Sequence, residues 1–472
     1  MATGKRFSIF SILAVSVLAV SMLVYAQSPT ATNPVVAQDP GVRAGSVNAG
    51  QALSTLSSDE LMFFQDGQSR FQNVDTVTGA NPGLGPAYNS NSCSSCHSQP
   101  AAGGSSPSAA QFPNIGPNPQ IAAATADGAT NTVPFFISAD GPVREARFPF
   151  VVSNGSVTST PDGGVHDLYT ITGRADAAGC NLAQPPFEQM SQLDNLIFRI
   201  PTPVFGAGLI ENIADATILA SMSANSALKQ SLGISGHPNI SGNDGTITRF
   251  GWKAQNKSLQ IFAGEAYNVE IGVTNELFPD ERGDPPASCV FNPLPEDSTN
   301  FSLTGDQIPS DVVEFSHFMR FLAPPTPSTQ GIPGNPSASS VQNGRAIFSQ
   351  IHCDMCHTPG LPTAASSFTP GLSNQEAALF SDLLVHHMGA GLADNVTQGN
   401  AGPDEFRTAP LWGVGQRIFF LHDGRATPAN GGLLNAIQQH ASSGSEANTV
   451  IQQFNQLTQQ EKQNLLNFLR SL

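Results

Sequence analysis

The chain has 472 residues, with 20 Lys and Arg against 36 Asp and Glu, a net charge of −16. Only 12% of it is charged, against a usual share of roughly 25%. No basic surplus exists to neutralise phosphates, which excludes a nucleic-acid binder by bulk electrostatics. The composition also excludes collagen and a coiled coil. One apolar run of near-spanning length excludes a polytopic membrane protein.

That run comes first in the chain. Lys5 and Arg6 precede an apolar stretch from Phe7 to Val24, and Val24-Tyr25-Ala26 follows. This is the three-part plan of a secretory signal over residues 1–26, cleaved after Ala26; an uncleaved anchor is the alternative. Either places the rest of the chain outside the cytoplasm, with a periplasmic location expected, where cysteines meet an oxidising environment. Residues 27–55 are rich in Ala, Gln, Pro, Ser and Val and read as a flexible linker. Ser57-Ser58-Asp59-Glu60 then opens a helix carrying Leu61, Phe63 and Phe64.

Six cysteines occur, and four form two copies of one pattern, Cys93-Ser94-Ser95-Cys96-His97 and Cys353-Asp354-Met355-Cys356-His357. C-x-x-C-H is the attachment site of c-type haem. Two thiols on one helical turn each form a thioether to the porphyrin, and the adjacent imidazole ligates the iron from one side. Two covalent haems are therefore expected, with His97 and His357 as proximal ligands. The other cysteines, Cys180 and Cys289, share the central segment, and in an exported chain they are expected to pair.

Between the motifs, Pro149–Val152 and Leu168–Ile171 read as strands, and Asp311–Leu322 reads as a helix. Proline clusters at 324–327 and 333–336 mark a link. Helices follow over Val341–Phe348 and from Gln459 to Leu469. The expected architecture is mainly α: an N-terminal haem domain over 56–325 with an irregular, partly β insertion, a linker over 326–338, and a C-terminal cytochrome c domain over 339–472.

The chain also repeats itself. Arg199-Ile200-Pro201-Thr202-Pro203-Val204-Phe205-Gly206-Ala207-Gly208 matches Arg407-Thr408-Ala409-Pro410-Leu411-Trp412-Gly413-Val414-Gly415. Phe250-Gly251-Trp252-Lys253-Ala254 stands opposite His422-Asp423-Gly424-Arg425-Ala426, and Leu259–Ala266 opposite Leu433–His440. Two related one-haem units follow. Counting seven from Leu433 reaches His440; counting seven from Leu259 reaches Ala266. His440 is thus the candidate second axial ligand of the C-terminal haem, with His387 and Met388 as rivals. The N-terminal haem has a methyl group at the matching place, which leaves its iron open to a small molecule.

These blocks, with Gly83-Leu84-Gly85-Pro86-Ala87-Tyr88-Asn89-Ser90-Asn91-Ser92 ahead of the first motif, resemble the di-haem c-type oxidoreductases, some of them labelled peroxidases or thiol oxidoreductases. More distantly, the chain is similar to the bacterial di-haem cytochrome c peroxidases and the methylamine-utilisation enzyme. The resemblance implies two cytochrome-c-like domains with facing haems, electrons entering at the C-terminal one, peroxide reduced at the N-terminal one, and calcium as a further candidate cofactor. His440 stands where the peroxidases carry a Met, so their redox scheme does not transfer directly.

Arg407 and Arg425, with Arg199 and Lys253, suit the haem propionates. Glu265 and Glu270 flank Ala266 and are candidates for moving a peroxide proton. His317 and Met319 are weaker candidates for the first iron. His422 reads as a second-sphere group, and Trp252 and Trp412 as aromatics between the haems. The expected function is a peroxidase-like oxidoreductase served by an electron-donor protein or small redox carrier. A pure electron carrier and an oxidase of a partner protein are the alternatives.

Overall fold

One helix pair in each half of the chain is built on the same plan. In the N-terminal half, Ser57 and Glu60 form a reciprocal capping box at the start of Ser58–Phe71. This helix crosses Asp311–Phe321. At the crossing, a Cβ on Gly67 would come within 2.2 Å of the Glu314 carbonyl oxygen. Only glycine lets the two backbones approach so closely. Phe71, one turn later, packs on Phe318 at 4.8 Å between ring centroids.

In the C-terminal half, Ala338–Gln350 crosses Gln459–Ser471, which starts with a capping box from Thr458 and Glu461. Here a Cβ on Gly344 would come within 2.0 Å of the Asn464 carbonyl. Phe348 packs on Phe468 at 5.5 Å. Glu314 and Phe318 thus correspond to Asn464 and Phe468. Each crossing seals its own apolar cluster, in which every fully buried Phe contributes about 1.5–3 kcal/mol.

The proline blocks repeat in space as well. Gly206 and Gly413 both take left-handed backbone, with φ of 65° and 73°. Two residues on, a Cβ at Gly208 or Gly415 would strike the Arg320 or Arg470 carbonyl, at 1.9 and 2.1 Å. In the third block the register differs from the sequence match. The bridges Phe250–Asn256 and Phe420–Ala426, together with positive φ at Gly251 and Leu421 and at Ala254 and Gly424, place Trp252 against His422. Matching Lys253-Ala254 to Arg425-Ala426 follows side-chain likeness, whereas the turn is set by where the backbone must be left-handed, and Leu421 takes that strained position without being glycine.

The structure, a computed structural model, describes residues 1, 4, 36–45, 47–108, 117–302, 309–366 and 369–472. The expected secretory signal over 1–26 lies almost wholly outside the described residues, as does the first part of the expected linker. Contacts separate Met1–Val35 from Val36–Leu472, and the second unit holds everything described below.

The fold is mixed α and β rather than mainly α, with six two-stranded antiparallel ladders among the described residues. Strands are not confined to the N-terminal half: Val385–His387 pairs with Glu405–Arg407, and Leu361–Pro362 with Glu376–Ala377. Phe150–Ser153 and Tyr169–Thr170 fall where strands were expected, whereas the C-terminal ladders are too short to show alternation; side chains help to hold ladders of this length. Asn195, for example, donates to the Phe150 carbonyl at 2.7 Å and accepts from its N–H at 3.0 Å. Cys180 and Cys289, both buried, form a disulfide.

From residue 36 on, the stretch with linker-like composition is packed. Asp39 pairs with Arg470 at 2.6 Å, Arg43 donates to the Leu472 carbonyl at 3.0 Å, and the Leu53 N–H to Phe321 at 2.8 Å. Two charges with buried partners override a flexible composition. Among the described residues no helix is long and apolar enough to cross a membrane.

Candidate haem sites

Each Cys-x-x-Cys-His motif faces a cavity: one of about 170 Å³ lined by Cys93, Cys96 and His97, the other of about 220 Å³ lined by Cys353, Cys356 and His357. His97 Nδ1 lies 3.1 Å from the Gly104 carbonyl and His357 Nδ1 3.0 Å from the Phe380 carbonyl. A carbonyl only accepts, so the proton sits on Nδ1 and the Nε2 lone pair is free for a metal. Burial pushes both imidazoles down to about 4, which keeps them neutral. Phe71 and Phe348 brace the two rings edge-on or tilted, at 6.1 and 6.3 Å.

The four motif cysteines are unpaired thiols. Burial pushes Cys93 well above its usual value, Cys96 up to about 11 and Cys353 up to about 12. These are the opposite of the low-pKa thiolates of a redox pair or a zinc site. Cys356, Asp382 and His386 also converge, but both His386 nitrogens face carboxylates, Glu446 at 2.8 Å and Asp382 at 3.1 Å. Burial opposes a charge there, yet the Cys356 sulfur and Asp382 outweigh it and raise the imidazole well above its ordinary value.

The far walls of the two cavities differ. Phe262, Ala263 and Ala266 line the first, and Ala436, Ile437 and His440 the second, at the same spacing along Leu259–Ala266 and Gly432–Gln438 with its two following residues. His440 Nδ1 lies 2.7 Å from the Ala436 carbonyl, the same anchoring as His97 and His357, and burial lowers its pKa. Met388 also lines the second cavity, packed in a cluster with Trp252 and Phe406. His387 lines neither cavity and commits both nitrogens to Asp404 and Glu405. Met319 lines the first cavity at the place Leu469 takes in the second. His317 turns away, against Phe63 at 4.9 Å and Glu314.

The cation positions test whether haem fits. Arg407 and Arg417 are both buried on the second cavity without a carboxylate partner, and burial pulls each down to about 10. Arg417 Nε and Nη2 have no hydrogen-bond partner at all. Two desolvated guanidiniums beside a thiol-and-imidazole cavity need an anion, and the propionates of haem supply one. On the first cavity, Arg144 Nε is similarly unsatisfied. Arg425, expected in this role, lines neither cavity: the Asp423 carboxylate lies 2.5 Å from it, because the Asp-Gly turn folds that side chain back onto it. Arg199 and Lys253 are spent on buried Asp394, at 2.6 and 3.1 Å. Arg417 and Arg144 carry no motif in the sequence; only their burial singles them out.

Glu265 and Glu270 both line the first cavity. Five residues apart, they would lie about 140° apart on a regular helix. The helix instead continues into a π turn over Tyr267–Ile271, whose wider winding brings Glu270 round to the cavity. Glu270 meets Glu145, which the sequence did not single out. Burial raises both, but Arg147, 2.8 Å from Glu145, pulls Glu145 down, while burial and the Glu145 charge hold Glu270 well above the carboxylate range. The pair thus shares one proton. Glu265 accepts from Asn256.

Trp252 lines both cavities, and Trp412 neither. Trp252 Nε1 donates to the Ile200 carbonyl at 2.9 Å, and the Ile200 N–H donates to the His422 carbonyl at 2.8 Å. Trp412 packs on Gly206.

Two cavities, each with paired thiols and an anchored neutral imidazole, define a di-haem redox protein. The chain belongs to the di-haem oxidoreductase family: the family model described as "Di-haem oxidoreductase, putative peroxidase" matches residues 174–472. The second motif lies within that match and the first ahead of it. A comparison with curated proteins returns no match. Among solved structures, the chain is similar to Kuenenia stuttgartiensis hydrazine synthase pressurised with xenon, at 19% identity over 34% of this chain and 55% of that one, TM-score 0.20. It therefore spans about half the length of that structure. It is also similar to a MauG-like protein associated with microbial copper homeostasis, at 15% identity over 62% of this chain and 95% of that one, TM-score 0.27.

Proposed function

We propose that the chain is an exported, periplasmic peroxidase-like enzyme made of two cytochrome-c-like haem units, over 56–325 and 339–472. Electrons from a donor protein or small redox carrier are accepted at the C-terminal site, and a small peroxide is reduced at the N-terminal site. The observation that carries this reading is the unequal pair Ala266 and His440 at matching places on the two cavity walls. Bound haem would supply one-electron redox chemistry, and in the N-terminal unit Ala266 would offer its iron no second ligand.

The chain's residues do the rest. Cys93, Cys96, Cys353 and Cys356 tether the haems; His97, His357 and His440 present neutral Nε2 atoms. Arg407 and Arg417 hold propionates. Glu145, kept ionised by Arg147, takes a proton from one peroxide oxygen, and Glu270 returns one to the other. The aromatic wall of Trp252 separates the two cavities and excludes water between them. Electron paramagnetic resonance of the oxidised holoprotein, read beside peroxide turnover with a reduced donor, tests this. One high-spin and one low-spin signal with turnover support it. Two low-spin signals in the oxidised protein, with a reduced form that binds no carbon monoxide, identify an electron carrier instead.

A further inference from the structure

Phenol side chains are unevenly placed in this chain. From their surroundings we infer that Tyr267 is an electron donor to the N-terminal site: when peroxide arrives before a reduced donor, its phenol is oxidised to a neutral radical and the phenolic proton moves to Asp311. The inference rests on the peroxidase reading and adds a residue to it.

The chain has four tyrosines. Tyr25 falls in the expected signal, Tyr88, Tyr169 and Tyr267 fall in the N-terminal unit, and none falls in 339–472. Counting eight from Leu259 reaches Tyr267; counting eight from Leu433 reaches Ala441. The segment that lacks the candidate ligand thus carries the phenol, and the segment that carries His440 lacks it. Tyr267 opens the π turn, is buried and lines the first cavity. Phe315 holds its ring edge-on at 5.0 Å.

A phenol that gives up an electron becomes a strong acid, so the step needs a base within hydrogen-bond reach. The three buried tyrosines differ in this respect. Tyr88 donates to the Ala123 carbonyl at 3.3 Å, which is no base. The Tyr169 hydroxyl has no partner. The Tyr267 hydroxyl lies 3.3 Å from Asp75 Oδ1 and 3.3 Å from Asp311 Oδ2. Neither aspartate lines the cavity, so the hydroxyl is committed away from the iron. One phenolic hydrogen serves one carboxylate. Burial pushes Asp75 up to about 8, so it keeps its own proton at neutral pH, and Asp311 is the acceptor. Asp311 accepts from Arg70 through Oδ1, at 2.8 Å, which leaves Oδ2 for the phenol. Asp297 is the third carboxyl beside the ring.

The electrons balance. Cleaving the O–O bond of hydrogen peroxide takes two, one from the N-terminal haem site and one from Tyr267. The phenolic O–H bond breaks, with its electron passing to the site and its proton to Asp311. The pair Glu145 and Glu270 carries one hydrogen of the peroxide to the leaving oxygen, which departs as water. A reduced donor then returns two electrons. One restores the phenol with the proton held by Asp311, and the other, with two protons from solvent, releases the second oxygen as water.

The test uses the oxidised, haem-loaded protein, mixed with hydrogen peroxide without donor and frozen for paramagnetic resonance. A tyrosyl radical signal is expected, with splittings that collapse when the protein carries ring-deuterated tyrosine. Tyr267→Phe should lose the signal, and Tyr88→Phe and Tyr169→Phe should keep it. Should Tyr267→Phe disturb folding, the double variant Tyr88→Phe/Tyr169→Phe decides alone: Tyr267 is then the one tyrosine outside the expected signal, and the radical must persist. Peroxide consumed only when donor is present, consumption without a tyrosyl radical, a radical that survives Tyr267→Phe, or one lost in the double variant overturns this inference and leaves the peroxidase reading standing. Peroxide left unconsumed with and without donor overturns both.

Discussion

Ala266 holds in the N-terminal half the place on the cavity wall that His440 holds in the C-terminal half. The two helices present the same spacing of residues to their cavities, and the proposed inequality of the two sites rests on the difference between a methyl and an imidazole. His440→Ala should convert the C-terminal haem from low to high spin and let it bind cyanide. Ala266→His should do the reverse at the other site and abolish peroxide turnover. Optical and paramagnetic spectra of the two variants check both.

Glu270→Gln removes a proton donor without changing size. Peroxide turnover should fall about 10²- to 10⁴-fold, with both haem spectra retained. In the wild type, Glu270 is held protonated by burial and by Glu145, so activity should hold through neutral pH and fall on the alkaline side as that proton is lost. Glu145, shifted down, stays ionised across the same range. A pH–rate profile of wild type and variant measures this.

Arg417, not Arg425, should tune the C-terminal haem. A buried cation favours the reduced, more negative state, so Arg417→Leu should lower that haem's potential. A loss of about 1.4 kcal/mol corresponds to roughly 59 mV for one electron. Arg425→Leu, whose guanidinium is paired with Asp423 away from both cavities, should shift stability by less than about 0.5 kcal/mol and leave the potential unchanged. Spectroelectrochemical titration separates the two.

Asp394 is the buried counter-charge of Arg199 and Lys253. Burial works against its ionisation, but those two cations hold its pKa below the usual range. Asp394→Asn leaves them unpaired and should cost about 3–5 kcal/mol at neutral pH. The wild-type advantage is full above the unfolded carboxyl value of about 3.9 and is lost as pH falls through the lower folded value. Urea unfolding followed by circular dichroism at neutral and acidic pH checks the sign.

The attachment motifs, the four separate helices and the order of the repeated blocks were legible in the residues, because thioether chemistry, helix capping and apolar periodicity show at short spacings; that the helices pair through Gly67 and Gly344 was not. Glu265 and His440 were reachable by counting along a helix, whereas Glu270 reaches the cavity only through the π turn over Tyr267–Ile271. Arg417, Arg144 and Glu145 were not, since an arginine or glutamate acquires its role only when burial strips its partners or supplies one. Arg425 misled for the same reason: the neighbouring Asp423 claims it, and only the folded turn reveals that.

The linear chain by itself determined the two Cys-x-x-Cys-His motifs and their duplicated setting, since those depend on contacts within a few residues. Only the tertiary structure decided which charges remain unpaired, that Trp252 rather than Trp412 lies on both cavities, and that Asp394 joins Arg199 and Lys253. Those relations join segments far apart in sequence. Their energies come from desolvation, which no local pattern of residues records.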